Sequence, residues 1–155
     1  MTVQTSSSMR VAGQPSLRQW LILGVSAAAA AIVGVLIAQA AALAIWPEAA
    51  LFRPLESYAR SALFTLVPAL IATGLLAWLA RRTANPTAVF VRIAVVALLL
   101  SFIPDYLVPV PNRTLLASTI AAGLHVVAAA ITLPICGRGY RRLAGYGNRR
   151  PDSDQ

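Results

Sequence analysis

The run Thr114–Cys136, TLLASTIAAGLHVVAAAITLPIC, decides how this chain is read. It contains no acid, lysine or arginine. Its 23 residues exceed the roughly 20 needed to cross hydrocarbon as an α-helix. It also holds the only histidine in the protein, His125, near its middle. Three more apolar runs precede it, and short polar connections separate them.

Composition points the same way. Only 12% of the 155 residues are charged, against about a quarter in a soluble domain. Much of the surface must therefore face something other than water, and lipid is the simplest such solvent. The net charge of +8 raises nucleic acid as a partner. But all 13 basic residues are arginine and they sit beside the apolar runs, where they report membrane topology. No nucleic-acid partner is expected. Cys136 is the one cysteine, so no intrachain disulfide forms, and no Cys/His cluster exists to hold a metal. No cofactor is expected.

Working outward from the last run, the chain divides into a polar tail over 1–18, a membrane domain over 19–137 and a basic tail over 138–155. The spans are about 21–46, 61–80, 87–103 and 114–136. The first tail has too little apolar content to fold. The first span is bracketed by Trp20 and Trp46, at positions where amphipathic rings favour the interface. A cleavable signal ending near Ala42-Leu43-Ala44 competes with this reading, but signal h-regions run about 7–15 residues and this run is longer. The second span is of minimal length and contains Pro68, which predicts a bend. The third is the weakest, with Arg92 one turn inside it, close enough to the interface to snorkel. Pro104, Pro109 and Pro111 predict that helix ends at Ile103 and that Asp105 lies in an extended outer loop. Gly137-Arg138-Gly139 is expected to stop the fourth span.

The fold class is thus all-α, a bundle of four transmembrane helices. With four spans, one side holds Arg10, Arg18, Arg81, Arg82, Arg92, Arg138, Arg141, Arg142, Arg149 and Arg150, and the other only Arg53, Arg60 and Arg113. Basic residues favour the cytoplasmic side, so both termini are expected inside, in the plasma membrane of a GC-rich bacterium.

The polar residues of the spans form a short list. Ser118, Ala122, His125, Ala129, Thr132 and Cys136 recur at steps of four and three, which is one helix face, with His125 at its centre. His125 lies eleven residues from Thr114, or about 16 Å deep. Thr73 is counted at a similar depth on the second span and is the expected hydrogen-bond partner. Gln39, Thr65, Ser101 and Ser118 fall in the outer third of their spans, suggesting a wetter outer half. The intramembrane polar site is therefore His125, Thr73, Gln39 and Ser118. Each also has a structural reading, because neutral polar side chains bond across helices and Ser or Thr often bonds its own backbone. No intramembrane acid is expected to pair with His125. Arg81, Arg82, Arg92, Arg138, Arg141 and Arg142 are topology signals that also meet anionic lipid headgroups. The first span carries a ridge of small residues, Ala30, Gly34, Ala38 and Ala42, suited to close helix packing.

No catalytic constellation can be assembled. A lone His without a matched nucleophile and carboxylate makes no triad, and no phosphate-binding glycine motif is present. The chain is read as a non-enzymatic accessory or interaction component of the membrane, packing on a protein partner or on further copies of itself. The alternative is a small oligomeric transporter or channel-like protein with His125 on a proton- or ligand-linked path.

The run Leu115–Pro134, with its histidine followed by small residues and then proline, resembles the final helix of a group of small actinobacterial membrane proteins, the domain of unknown function 6069. Leu98-Leu99-Leu100-Ser101-Phe102-Ile103-Pro104 is similar to the end of their third helix. The resemblance covers most of Leu21–Arg138. It implies four helices in the plasma membrane and supplies no activity.

Overall fold

The computed structural model describes residues 15–109 and 111–147. Four long helices follow one another: α1 Leu17–Ile45, α2 Tyr58–Arg82, α3 Pro86–Leu107 and α4 Leu115–Gly147, with a 3₁₀ turn at Pro47–Leu51. Among the described residues there is no strand. All four helices are long and apolar enough to cross a membrane.

Each helix begins on a residue whose side chain satisfies amides that the helix itself leaves open. Ser16 and Gln19 form a reciprocal capping box, the Gln19 amide donating to Ser16 Oγ at 3.3 Å and the Ser16 amide to Gln19 Oε1 at 2.8 Å. Ser57 caps α2 through the Arg60 amide. Asn85, followed by Pro86 at the first helical position, caps α3 through the Ala88 amide. Thr114 Oγ1 accepts the Ala117 amide at 3.1 Å at the start of α4.

α1 packs along α2 and α4, and α3 along α4 and α2. α1 and α3 thus occupy opposite corners of the bundle, and consecutive helices run antiparallel through short connections. α3 is the least enclosed, with only about a tenth of its most apolar stretch buried. The large side chains exposed on all four helices, such as Ile37, Phe64, Ile71, Leu99 and Val126, are what a lipid-facing surface requires.

Two clusters close the interior. At the α2–α3 turn end, Trp20, Leu23, Ala27, Leu76, Leu79, Phe90 and Cys136 pack together. Trp20 is buried there and stacks on Tyr140 with centroids 5.8 Å apart, so it is not the interfacial anchor that its position suggests. Trp46 and Trp78 are exposed. At the other end Phe52 and Leu55 fold back from the α1–α2 connection onto Ala117 and Ala121 of α4.

Three boundaries differ from those expected. Leu17 and Arg18 are helical, because the capping box at Ser16 starts α1 earlier. The rest of the N-terminal tail, 1–14, lies outside the described residues, as do 148–155. α3 continues through Pro104 to Leu107. A proline removes one backbone donor, which the last turn of a helix tolerates. α4 continues through Gly137 and Gly139 to Gly147. A glycine inside a helix costs only about 1 kcal/mol relative to alanine, too little to stop it. Gly139 serves close approach instead: a Cβ there would overlap the Leu23 side chain of α1. At 33 residues α4 is about 50 Å long, well beyond a hydrocarbon thickness of about 30 Å. Its arginine-bearing end therefore projects from the bilayer as helix.

Candidate functional site

The site begins with a missing amide. In a continuing helix the Asp105 carbonyl would accept from residue 109, but Pro109 has no N–H. Ser118 Oγ of α4 donates to that carbonyl instead, at 2.6 Å. This bond ties the end of α3 to the second turn of α4. Two more contacts secure the junction. Tyr106 Oη donates to Thr119 Oγ1 at 3.2 Å, and the Arg113 guanidinium donates to the carbonyls of Tyr106 and Val108, capping the negative end of α3. Asn112, in the left-handed region at φ 56°, makes the turn between the helices and donates to the Leu51 carbonyl at 3.3 Å.

This arrangement carries the Asp105 side chain into the bundle. It is buried, and its Oδ2 finds no hydrogen-bond partner. Asp105 is therefore not the exposed loop acid that the prolines suggest, whereas Glu48 and Glu56 are exposed. The carboxyl, on α3, and the imidazole of His125, on α4, lie on the same half of the bundle. Asp105 is thus an acid inside the bundle, though no hydrogen bond or ion pair joins it to His125. The sequence held one signal for it: a third span ending at Ile103 has only 17 residues, short of the roughly 20 a crossing helix needs. Continuing the helix through Pro104 makes up that deficit and carries Asp105 with it.

His125 is half-buried at the centre of the expected α4 face, where Ser118, Ala122, Thr132 and Cys136 are buried. Its ring turns back toward the start of the helix, and Nδ1–H donates to the Ala121 carbonyl at 3.1 Å. A carbonyl only accepts, so this bond places a proton on Nδ1.

Thr73 is not the partner of His125. Its hydroxyl donates to the Ala69 carbonyl at 3.0 Å and lies 3.5 Å from Cys136 Sγ, beside Gly24 and against the Trp20–Phe90 cluster. Equal residue counts gave the wrong depth because the α1–α2 connection folds back over α4. α2 thereby enters the bundle deeper than α4 does.

Gln39 belongs to the Asp105 end. It is fully buried; its Nε2 donates to the Leu55 carbonyl at 3.0 Å, and its Oε1 has no partner. Thr65 bonds the Ser61 carbonyl and Ser101 the Leu98 carbonyl, as side chains that satisfy their own helices. The interior at this end thus holds Gln39, Asp105 and Ser118, with Ser61 and Thr65 beside them on α2, all buried. It leaves two acceptor atoms, Asp105 Oδ2 and Gln39 Oε1, without donors. Buried polar atoms are normally paired, and each exception calls for a reason. A buried carboxyl short of donors can hold a proton or a small cation. Among the described residues no group of three or more His, Cys, Asp or Glu is placed to ligate a metal ion.

The arginines occupy the opposite end. Arg81, Arg82, Arg92, Arg138 and Arg142 are exposed, and Arg141 Nε donates to the Gly137 carbonyl at 3.3 Å. Among the described residues the one ion pair is Arg60 with Glu56, at 3.5 Å, on the Asp105 side. Of the small-residue ridge of α1, all half-buried, Gly34 makes a close approach within the bundle, as does Gly24 off the ridge. A Cβ at Gly34 would overlap Ile131 of α4, and one at Gly24 would press on Thr73 of α2.

The chain belongs to the family of unknown function DUF6069, whose model matches residues 11–142. No curated protein and no solved structure matches it.

Proposed function

We propose that this multi-pass membrane protein is a small, non-enzymatic, proton- or cation-linked transporter or channel-like component of a bacterial plasma membrane, with Asp105 and His125 as its binding groups. The observation that carries the reading is the buried Asp105 carboxyl, whose Oδ2 has no donor, on the same half of the helical bundle as His125. Ionisable side chains within membrane spans are expensive and mark ion or proton pathways by default. Histidine is also the side chain that changes charge between about pH 5 and 8. The arginine distribution supports an orientation with both termini cytoplasmic and the Asp105 end outside.

A second reading, an accessory subunit that packs on a membrane partner or on further copies of itself, is favoured by the open apolar flank of α3. It draws less support from the small-residue faces, because Gly24, Gly34 and Gly139 already serve contacts within the chain.

The test is ion and proton flux in proteoliposomes at about pH 5.5 and about pH 7.5, bracketing the range over which histidine titrates. Wild type is compared with His125→Leu. Flux that follows pH in wild type and vanishes in the variant is the expected result. No flux in either, with the variant merely less stable, would move the assignment to the accessory reading. A reporter fused at Pro109 checks the orientation, cytoplasmic activity there being the contrary outcome.

A further inference from the structure

Arg92 has an unusual setting. It lies six residues into α3, about 9 Å along the helix, and it is exposed. Among the described residues it makes no hydrogen bond or ion pair. Nor, among the described residues, does its end of the bundle offer an acid. The described acids, Glu48, Glu56 and Asp105, all lie at the opposite end, while Arg81, Arg82, Arg138, Arg141 and Arg142 share the Arg92 end. Among the described residues, then, nothing neutralises Arg92.

The surface beside it is shaped. The aliphatic stem of Arg92 and the side chains of Ile93, Val96, Ala97 and Leu100 line a shallow, wide-open apolar groove of about 370 Å³ on the flank of α3. Arg92, Val96 and Leu100 follow one another at four-residue spacing, so the groove runs along the helix axis away from the charge. One cation at the shallow end and only apolar side chains beyond it match an amphiphile with an anionic head and a hydrocarbon tail. We propose that this groove is a binding site for one anionic phospholipid. Its phosphate sits on the Arg92 guanidinium, which reaches back toward the headgroups. One acyl chain follows Val96 and Leu100. Free phosphate would leave the four apolar lining residues unmatched. A zwitterionic lipid would set its ammonium among the neighbouring arginines. The site is independent of Asp105 and His125, which lie at the other end.

The test follows thermal unfolding of the full chain in detergent while phosphatidylglycerol or phosphatidylcholine is added. Wild type is expected to be stabilised more by phosphatidylglycerol. Arg92→Gln should weaken apparent phosphatidylglycerol affinity about fivefold, the effect of one basic residue at an anionic surface, and Arg92→Lys should retain most of it. Leu100→Trp keeps the charge but fills the groove, and should lose selective stabilisation as well; it decides the matter should Arg92→Gln fail to fold. Undiminished phosphatidylglycerol selectivity in Leu100→Trp and in any folded Arg92→Gln would overturn the site. So would efficient disulfide crosslinking of Ala97→Cys between copies in phosphatidylglycerol membranes, which would give the groove to a second copy. Cys136 is buried and does not confuse that readout.

Discussion

Asp105→Asn separates a functional carboxyl from a structural one. The contact that holds the chain at this position is made by the backbone, Ser118 Oγ to the Asp105 carbonyl at 2.6 Å, and asparagine keeps it. Asparagine also keeps nearly the same volume in a site that is only 7% exposed. What changes is the charge, together with an Oδ2 that has no partner. A buried polar atom left unpaired costs about 1–3 kcal/mol, and the variant's amide, free to present either oxygen or nitrogen, recovers part of that. Stability near neutral pH should therefore hold or rise by up to about 3 kcal/mol. The midpoint should move up by about 2–4 °C per kcal/mol for a chain of this size. The pH-dependent flux should meanwhile disappear. Thermal unfolding in detergent, paired with proteoliposome flux on the same preparation, measures both. A loss of more than about 1 kcal/mol with flux unchanged would refute the reasoning, since Asp105 would then be a structural residue.

Gly24→Val should cost about 1–3 kcal/mol by overpacking. A Cβ there would already meet Thr73 Cγ2 at 3.3 Å, and Thr73 is held by its bond to Ala69. Gly74→Val, with open space around it, is the control, and equal losses in a thermal melt would contradict the packing account. Gln39→Ala removes the donor to the Leu55 carbonyl and should cost about 1–3 kcal/mol. Deuterium exchange should then quicken over residues 53–57, and unchanged protection there would show that Gln39 does not anchor the connection. Phe90→Ala opens the fully buried centre of the Trp20 cluster and should destabilise the fold by about 3–5 kcal/mol. If the cluster seals a pathway, the same variant should also leak protons without dependence on pH, which dye-loaded proteoliposomes would detect.

The architecture was legible because lipid allows few solutions. Uncharged runs of about 20 residues leave little besides spanning helices, although the cap at Ser16, which starts α1 before the apolar run, went unread. The α4 face centred on His125 also followed from spacing alone. What failed was depth and punctuation. Thr73 and His125 share a residue count but not a level, because the level depends on how the Pro47–Ser57 connection folds, which is a tertiary fact. Pro104 and Gly137 were read as stops by local rules, although a single proline near a helix end or a single glycine costs too little to override packing. The most consequential error, placing Asp105 in a loop, came from counting Pro104 with Pro109 and Pro111. Only Pro109 acts on the site, and it acts through the amide it lacks.

The bundle is polarised along its axis, and that bears on what Asp105 and His125 can do. Among the described residues the acids lie at one end, and most arginines lie at the other. A cation inside is therefore drawn toward Asp105 and away from the arginine end. His125 lies seven residues beyond Ser118 on α4, about 10 Å deeper, with its ring turned back toward the Asp105 side. The two groups stand in series on the same half of the bundle. Beyond them Trp20, Leu76, Leu79, Phe90 and Cys136 close the interior with apolar atoms. A proton reaching His125 has acceptors on the side it came from and a sealed core ahead. Entry from the Asp105 side has to pass Phe52 and Leu55, which rest on α4 from a short connection, whereas passage to the arginine end requires the helix-borne Trp20 cluster to part. Proton-linked activity in this fold would thus be limited by movement of α1 and α3 around Trp20 and Phe90 rather than by the chemistry at Asp105.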